Sequence, residues 1–304
     1  MVAFIHKIEG WLAHRPMPVR RRVLRGLFST LKTFGYFKVA YAEVVQIAQA
    51  LRIPIWKARA VAMEAIFQDL LFSMEWAALA VRSLDQLSKD ARFVTVEDDS
   101  QLEWHSDSKS LILATLHSGC YHIAIAYLIK TYFSDRRIII IKNFALTDQE
   151  LQTIERFQLL GFDVKVFTNE AKNEFFDMMR YLKEGAVLFM LADLPKSYGK
   201  SSKVEFLDSY ADLANGMIDL SIICKAPILF FGLKTSVTGE RIFSDTVLDQ
   251  SNVNNNVNRS VMTGYISSFV TKAIKRNPHQ WQMWGRLDEY YCKKEVESSC
   301  SNVV

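Results

Sequence analysis

Residues 110–142 read SLILATLHSGCYHIAIAYLIKTYFSDRRIIIIK. SLILATL is an apolar run typical of a buried strand, CYHIAIAYLIKTYF has the apolar spacing of a helix, and RRIIIIK returns to a strand pattern. Two strands joined through a helix form the crossover unit that connects parallel strands in a sheet. The stretch therefore predicts a parallel sheet with helices packed against its faces.

The same alternation of strands and helices continues on both sides of this stretch. Further strand patterns are ARFVTVED (91–98), FDVKVF (162–167), AVLFMLAD (186–193) and APILFFGLK (226–234). Further helical patterns are LTDQELQTIERFQLLG (146–161), NEFFDMMRYLKEG (173–185) and ADLANGMIDLSIICK (211–225). We therefore predict an α/β fold, with a mostly parallel central sheet flanked by helices and an N-terminal helical segment.

The N-terminal third differs from the rest of the chain in its pattern. Residues 1–90 show helical periodicity throughout, and Pro16, Pro18 and Pro54 mark helix breaks or starts. We expect this part to belong to the same domain as the α/β core, residues 91–290, and to face a membrane or a carrier protein. SNVNNNVNRS (251–260) is predicted to be a polar loop, and residues 291–304 a loose tail.

Composition excludes several classes of protein. A chain of 304 residues with 50% hydrophobic residues is not disordered. The most apolar long stretch, VAMEAIFQDLLFSMEWAALAV, carries three acidic residues and is a poor membrane span, and the opening MVAFIHKIEGWLAHRP lacks the features of a signal peptide. The four cysteines show no C-x-x-C spacing and are expected to be free thiols. We expect a cytoplasmic protein, peripheral on the inner face of the membrane.

Basic charge is concentrated near the N-terminus. Residues 1–60 carry a net charge of +9 and the remainder −5. The segment RPMPVRRRVLRGLFSTLKTFGYFK combines cations with apolar side chains: Arg20, Arg21, Arg22, Arg25 and Lys32 beside Leu24, Leu27, Phe28, Leu31 and Phe34. Such a basic amphipathic helix is typical of binding to anionic lipid, and its charge also suits an acidic carrier protein. A solvated charged face is the simpler alternative, and no motif for nucleic acid accompanies it.

Two histidines stand where the first strand passes into its helix. His117 lies in the turn after SLILATL, Gly119 permits a tight bend, and His122 lies in the first helical turn. Active groups of parallel sheets usually lie beyond the carboxyl ends of strands, where Asp193 is also expected. The two imidazoles can then act as a base and its orienting partner. Ordinary histidines at a core edge, or a metal site with Cys120, are the alternatives, and the spacing matches no common zinc motif.

The chain resembles the bacterial lipid A biosynthesis acyltransferases of the lysophospholipid acyltransferase superfamily. These proteins carry H-x-x-x-x-[DE], commonly in an HxGNWE-like sequence, and HSGCYH matches it at His117 and Gly119 while His122 replaces the acid. Leu207 and Asp208 replace part of the family's FFG sequence. Further matches follow in the family's order: Arg156, Gly161, Asp193, Gly216, Ala226, Pro227, Pro278, Gln280, Trp284 and Arg286.

The resemblance implies transfer of a fatty acyl chain from acyl carrier protein, or from coenzyme A, to a hydroxyl of a glycolipid. His117 would be the general base, and His122 or Asp193, with Glu205 second, would take the place of the missing acid. Gly119, Arg156 and Arg286 are the expected substrate-binding residues. No metal and no bound cofactor are expected, because the donor arrives as a phosphopantetheine or coenzyme A thioester.

The replacement of the acid by His122 leaves two other functions open. A neutral imidazole can fix a tautomer but offers no compensating charge, so an amine acceptor, which is more nucleophilic than a hydroxyl, suits a weaker dyad. The protein would then transfer an aminoacyl or specialised acyl group from an acyl or peptidyl carrier protein to an amine or small molecule. A relative that binds lipid or carrier protein without catalysis is the second alternative.

Overall fold

The computed structural model describes residues 2–100, 102–103, 109–142, 146–159, 161–168, 172–248 and 255–291. The predicted tail beyond residue 291 lies outside these ranges, together with Cys292, Cys300 and residues 251–254 of the predicted polar loop. Of the described cysteines, Cys120 and Cys224 are buried free thiols.

Five helices form the N-terminal third, as predicted. They are α1 (Val2–Ala13), α2 (Met17–Thr33), α3 (Tyr41–Leu51), α4 (Ile55–Val81) and α5 (Leu84–Ala91). Pro16 and Pro54 directly precede α2 and α4. Proline disrupts the interior of a helix but is tolerated at its start, because it lacks a backbone N–H. Ser83 and Gln86 form a reciprocal capping box at the start of α5.

A seven-stranded, mostly parallel sheet forms the centre of the molecule. Its strands, with those of a separate hairpin (β6 and β7), are β1 (Val94–Val96), β2 (Leu111–Thr115), β3 (Ile138–Lys142), β4 (Val164–Thr168), β5 (Val187–Leu191), β6 (Ser201–Phe206), β7 (Ser209–Ala214), β8 (Ile228–Ser236) and β9 (Gly239–Leu248). The order in the sheet is β1-β9-β8-β2-β5-β3-β4. All neighbours run parallel except β8 and β9, so β1 and β9 oppose the other five strands.

Helices cover both faces of this sheet. Further along the chain, the described residues form α6 (Tyr121–Tyr132), α7 (Asp148–Leu159), α8 (Lys172–Lys183), α9 (Gly216–Cys224) and α10 (Asn255–Arg276), and short 3₁₀ turns span Lys196–Tyr198, Pro278–Gln280 and Trp284–Glu289. Ile112 and Ala114 of β2 point into one apolar core, and Leu111 and Leu113 into the other. This alternation explains why residues 111–114 of β2 are apolar without interruption. The α/β prediction is confirmed.

Two local predictions were wrong. The pattern at 211–225 predicted one helix, but Ser209–Ala214 is strand β7, which pairs with β6, and only Gly216–Cys224 is helical. The turn between β6 and β7 is formed by Leu207 and Asp208, both with positive φ, as a two-residue hairpin loop requires. The polar loop predicted over 251–260 gives way to helix α10 from Asn255 onwards.

The expectation that α2 presents its basic residues on a surface was wrong for Arg20 and Arg21. Both side chains are buried, and carboxylates distant in sequence compensate their charges. Arg20 pairs with Glu75 of α4 and, at 2.7 Å, with Asp90. Arg21 pairs with Glu75 at 2.7 Å and with Glu240 of β9 at 2.6 Å.

The other cations of α2 have more exposed positions. Arg25 is a third exposed and pairs with Glu64 at 2.7 Å, while Arg22 and Lys32 face solvent. None of the described helices is both long and apolar enough to cross a membrane.

Candidate active site

The sheet brings His117 and Asp193 together. Strands β2 and β5 are hydrogen-bonded parallel neighbours in register, so their carboxyl ends lie side by side. His117 follows β2 by two residues and Asp193 follows β5 by two residues. Because both residues follow adjacent parallel strands by the same number of residues, their side chains meet at the carboxyl end of the sheet.

The imidazole of His117 is in direct contact with the Asp193 carboxylate. Nδ1 of His117 lies 3.0 Å from Oδ1 of Asp193. The backbone N–H of His117 donates to Oδ2 at 3.0 Å, and the indole N–H of Trp281 donates to the same oxygen at 2.8 Å. The Tyr290 hydroxyl donates to the Asp193 carbonyl at 2.5 Å. Asp193 is fully buried, and His117, Trp281 and Tyr290 hold it in place.

This contact determines which nitrogen of His117 can accept a proton. A carboxylate oxygen only accepts hydrogen bonds, so Nδ1 carries the proton of the neutral ring and Nε2 has the free lone pair. No described residue forms a hydrogen bond with Nε2, and the side chain is 19% exposed. The pair thus has the arrangement of a general base and its orienting acid.

The turn that carries His117 is held by the segment 280–282. The backbone N–H of Gln282 donates to the His117 carbonyl at 2.8 Å, and its side-chain amide donates to the Gly119 carbonyl at 2.9 Å. The Gly119 N–H donates to the Gln280 carbonyl at 2.8 Å. An isolated β-bridge joins Ser118 to Trp281.

Gly119 is required at its position for two reasons. Its φ is +54°, and a Cβ atom here would lie 2.3 Å from Oγ1 of Thr235. We predict that Gly119→Ala lowers the free energy of unfolding by about 2 kcal/mol or more and reduces activity at least tenfold, since the left-handed backbone alone costs about 1–2 kcal/mol. Urea unfolding and steady-state kinetics provide the measurements.

Gly26→Ala is the matched control for this prediction. Gly26 is an exposed residue within α2, with no atom within 4 Å of an added Cβ. The substitution should stabilise the protein by about 0.5–1 kcal/mol, as expected for alanine in a helix. Equal effects of the two substitutions would contradict the role given to Gly119.

His122 lies apart from this pair. Its ring is buried and makes edge contacts with Phe72 and Trp76 of α4, at centroid distances of 4.6 and 5.0 Å. Neither ring nitrogen has a hydrogen-bond partner among the described residues. Tyr121 contacts both histidines, at 6.0 Å from each ring. Burial lowers the pKa of His122 to about 3, so the ring is neutral at physiological pH.

Substitution of His122 should change acid stability and leave catalysis intact. The unfolded chain protonates His122 below its ordinary pKa of 6.5, whereas the folded chain does so only near 3, so stability is lost as pH falls through this window. We predict that His122→Leu removes about 2–3 kcal/mol of this loss at pH 4.5, because pH 4.5 lies two units below the ordinary histidine pKa of 6.5. Urea unfolding at pH 7 and pH 4.5 measures it.

The family acid at position 122 provides the comparison. His122→Glu should not increase kcat, because the side chain at 122 points into the contacts with Phe72 and Trp76 and does not reach His117. A rise in kcat with glutamate, or a loss of more than about tenfold with leucine, would show that residue 122 belongs to the catalytic pair.

Three other predicted site residues, Arg156, Arg286 and Glu205, have neighbours other than His117. Arg156 of α7 donates to the carbonyl of Arg82, at the end of α4. Arg286 forms an ion pair with Glu289 at 2.6 Å and donates to the Tyr198 hydroxyl at 2.8 Å, on the segment that follows Asp193. Glu205 of β6 lines a polar cleft of about 830 Å³ between the hairpin and α10, which does not include His117.

Several residues at this site were not identified from sequence. Thr235, Trp281, Gln282 and Tyr290 hold Asp193 or the His117 turn, yet none carries a recognisable signal of its own. Gln280 was matched to a family motif without a role. In the structure its carbonyl accepts from the Gly119 N–H, and its side-chain amide binds the backbone of Thr235. The described residues hold no group of three His, Cys, Asp or Glu side chains that could bind a metal ion.

Comparison with known proteins decides the family. The sequence model of the bacterial lipid A biosynthesis acyltransferases matches residues 13–287. The chain belongs to this family. The protein is therefore an acyltransferase. In this acyltransferase the carboxylate beside His117 comes from Asp193 and not from position 122.

Among solved structures, the acyltransferase is similar to the crystal structure of the 1-acyl-sn-glycerophosphate (LPA) acyltransferase PlsC from Thermotoga maritima. The identity is 11%, the TM-score 0.40, and the match covers 87% of this chain and 99% of that one. A search of curated protein sequences finds no match to the chain.

Proposed function

We propose that the protein transfers an acyl group from an acyl carrier protein or coenzyme A thioester to a hydroxyl of a lipid A-like glycolipid, with His117 as the general base. The observation that carries the proposal is the contact between His117 Nδ1 and the buried Asp193 carboxylate at 3.0 Å. It supplies the carboxylate that the HSGCYH motif lacks.

The reaction follows from this pair. His117 Nε2 takes the proton of the acceptor hydroxyl as the oxygen attacks the thioester carbonyl carbon. Asp193 stabilises the imidazolium that forms. The tetrahedral intermediate then collapses, the carbon–sulfur bond breaks, and the imidazolium returns its proton to the leaving thiolate. The products are an ester and a free thiol, and His117 is neutral again.

A carboxylate beside His117 favours a hydroxyl acceptor over an amine. The amine alternative depended on a dyad without compensating charge, and Asp193 removes that reason. A hydroxyl is the weaker nucleophile and gains most from a strong base. The same contact weighs against a relative that only binds its ligands, because the proton acceptor and its orienting group are both in place.

A membrane surface is the proposed location of the acceptor. Large apolar side chains are exposed in the N-terminal segment, among them Phe34 (74%), Tyr41 (74%) and Trp56 (69%). Cations accompany them: Lys32, Lys38, Arg52 and Lys57 face solvent or are partly exposed. Aromatic side chains mixed with cations suit the interface of an anionic membrane, and the same cations suit an acidic carrier protein. We place the enzyme on the cytoplasmic side of the inner membrane.

The experiment that tests the function is a transfer assay with defined donors and acceptors. Fatty acyl and aminoacyl thioesters of carrier protein and of coenzyme A are offered with a lipid A precursor in anionic vesicles, or with simple amines. We expect an ester product from a fatty acyl donor, and none with His117→Ala. An amide product would support the aminoacyl alternative, and product formation by His117→Ala would refute the proposed base.

A further inference from the structure

We propose that Thr235 is a positioning residue for catalysis: its hydroxyl, held by Glu240 and Arg21, sets the position of the turn that carries His117. The inference rests on the proposed acyl transfer and adds residues from α2, β8 and β9 to its machinery. The supporting observations are a chain of directed hydrogen bonds and a close contact at Gly119.

The direction of each hydrogen bond in the chain is determined. The backbone N–H of Cys120 can only donate, and it donates to Thr235 Oγ1 at 2.9 Å. The hydroxyl has a single proton, which goes to Glu240 Oε2 at 2.6 Å. Thr235 therefore accepts on the side of the turn and donates on the side of the carboxylate.

Glu240 is held in turn by the N-terminal segment. Its other oxygen, Oε1, accepts from Arg21 Nη2 at 2.6 Å. Arg21 also donates from Nη1 to the Ser236 carbonyl at 2.8 Å and from Nε to Glu75 Oε1 at 2.7 Å. Thr235, Glu240 and Arg21 are each at least 96% buried, so water cannot replace the hydrogen bonds between them.

The backbone of Thr235 is fixed as firmly as its side chain. The Gln280 side-chain amide accepts from the Thr235 N–H at 3.0 Å and donates to the Thr235 carbonyl at 2.6 Å. Gly119 lies so close to Oγ1 that a Cβ atom would overlap it. The turn is thus held both by the Thr235 hydroxyl and by the segment 280–282, and Gln280 joins these two supports.

Positioning matters here because His117 meets Asp193 through both its ring and its backbone. Nδ1 and the backbone N–H of His117 bind different oxygens of one carboxylate. A shift of the turn lengthens both contacts together. Loss of the Thr235 hydroxyl should therefore impair catalysis even though Thr235 does not touch His117.

The test compares Thr235→Val, Thr235→Ser and Thr115→Val. Thr115 is a buried threonine at the end of β2 whose hydroxyl has no hydrogen-bond partner among the described residues, so its replacement removes the same atom without breaking a bond. We expect Thr235→Val to lower kcat by about tenfold to a hundredfold with KM for the donor within about threefold of wild type. Thr235→Ser should restore most of this loss, and Thr115→Val should behave as wild type.

A measurement that does not need turnover separates this inference from the proposed function. The His117 Nδ1–H, bound to a carboxylate, gives a far-downfield proton NMR signal, identified by its absence in His117→Ala. We expect the signal in wild type and Thr115→Val, and its loss or shift in Thr235→Val under conditions where urea unfolding shows a folded protein. If no donor gives product but the signal behaves in this way, the function fails and the positioning role stands.

The inference is overturned by two results. One is an unchanged His117 signal and a kcat within about threefold of wild type in Thr235→Val. The other is a loss of activity in Thr235→Val that serine does not restore and that follows only the fraction of unfolded protein.

Discussion

Asp193→Asn should lower kcat by about 10³-fold while the protein stays folded, because the substitution reverses the tautomer of His117. The backbone N–H of His117 and the indole N–H of Trp281 both donate to Oδ2. Neither can accept, so the oxygen of an asparagine side chain must occupy the Oδ2 position. Its NH₂ group then faces Nδ1 of His117.

A donor in front of Nδ1 leaves the ring only one arrangement. Nδ1 must give up its proton to accept the new hydrogen bond, and the proton moves to Nε2. A protonated Nε2 in a neutral ring cannot take the proton of an attacking hydroxyl. The predicted loss is therefore in kcat, and substrate binding should change little.

Steady-state kinetics on Asp193→Asn, Asp163→Asn and His117→Ala provide the measurement. Asp163→Asn is the control for this substitution. Asp163 precedes β4, at the opposite end of the sheet, and pairs with Arg137 on the surface. We expect wild-type kinetics for Asp163→Asn and comparable losses for the other two variants. Asp193→Asn with more than about a fifth of wild-type kcat would mean that the carboxylate does not orient His117.

The second large effect concerns stability: Glu75→Gln should lower the free energy of unfolding by about 3–5 kcal/mol. Glu75 is fully buried and binds both Arg20 and Arg21. Glutamine keeps the shape of the side chain but removes its charge. Two guanidinium groups then share fewer carboxylates in a buried site, and an uncompensated buried charge is strongly unfavourable.

Glu64→Gln is the control on the same helix. Glu64 pairs with Arg25, and both side chains are a third exposed, so this substitution should cost less than about 1 kcal/mol. Urea unfolding at pH 7 compares the two variants. Similar midpoints would contradict the structural role assigned to Glu75.

The same residue should contribute to acid sensitivity. Burial by itself raises the pKa of Glu75, but Arg21 and Arg20 outweigh it and lower the pKa from 4.5 to about 2. A lowered carboxylate pKa stabilises the folded protein above pH 4.5, and this contribution is lost as pH falls towards 2. In Glu75→Gln that part of the pH dependence should be absent.

Much of the fold follows from local pattern. Apolar residues run without interruption through 111–114 and 138–141 and recur with helical spacing between these runs, and the structure forms the predicted strand, helix and strand there. Burial on both faces of a parallel strand favours the unbroken apolar run 111–114 in β2, which is visible without a structure. Strand β7 was missed because Leu213 and Ala214 lie four residues before Met217 and Ile218, a helical spacing that joins the strand to helix α9 in the sequence pattern. Only the pairing with β6 shows that Ser209–Ala214 is a strand.

The candidate site divides in the same way. The sequence by itself determined that His117 and Asp193 follow strands and that the chain resembles an acyltransferase, because strand ends and short motifs are local features. Only the tertiary structure decided that Asp193 and not His122 contacts His117, and that Arg20 and Arg21 are buried. Asp193 lies 76 residues from His117, and Glu75, Asp90 and Glu240 lie 54 to 219 residues from the arginines they bind. No local pattern records contacts over such separations.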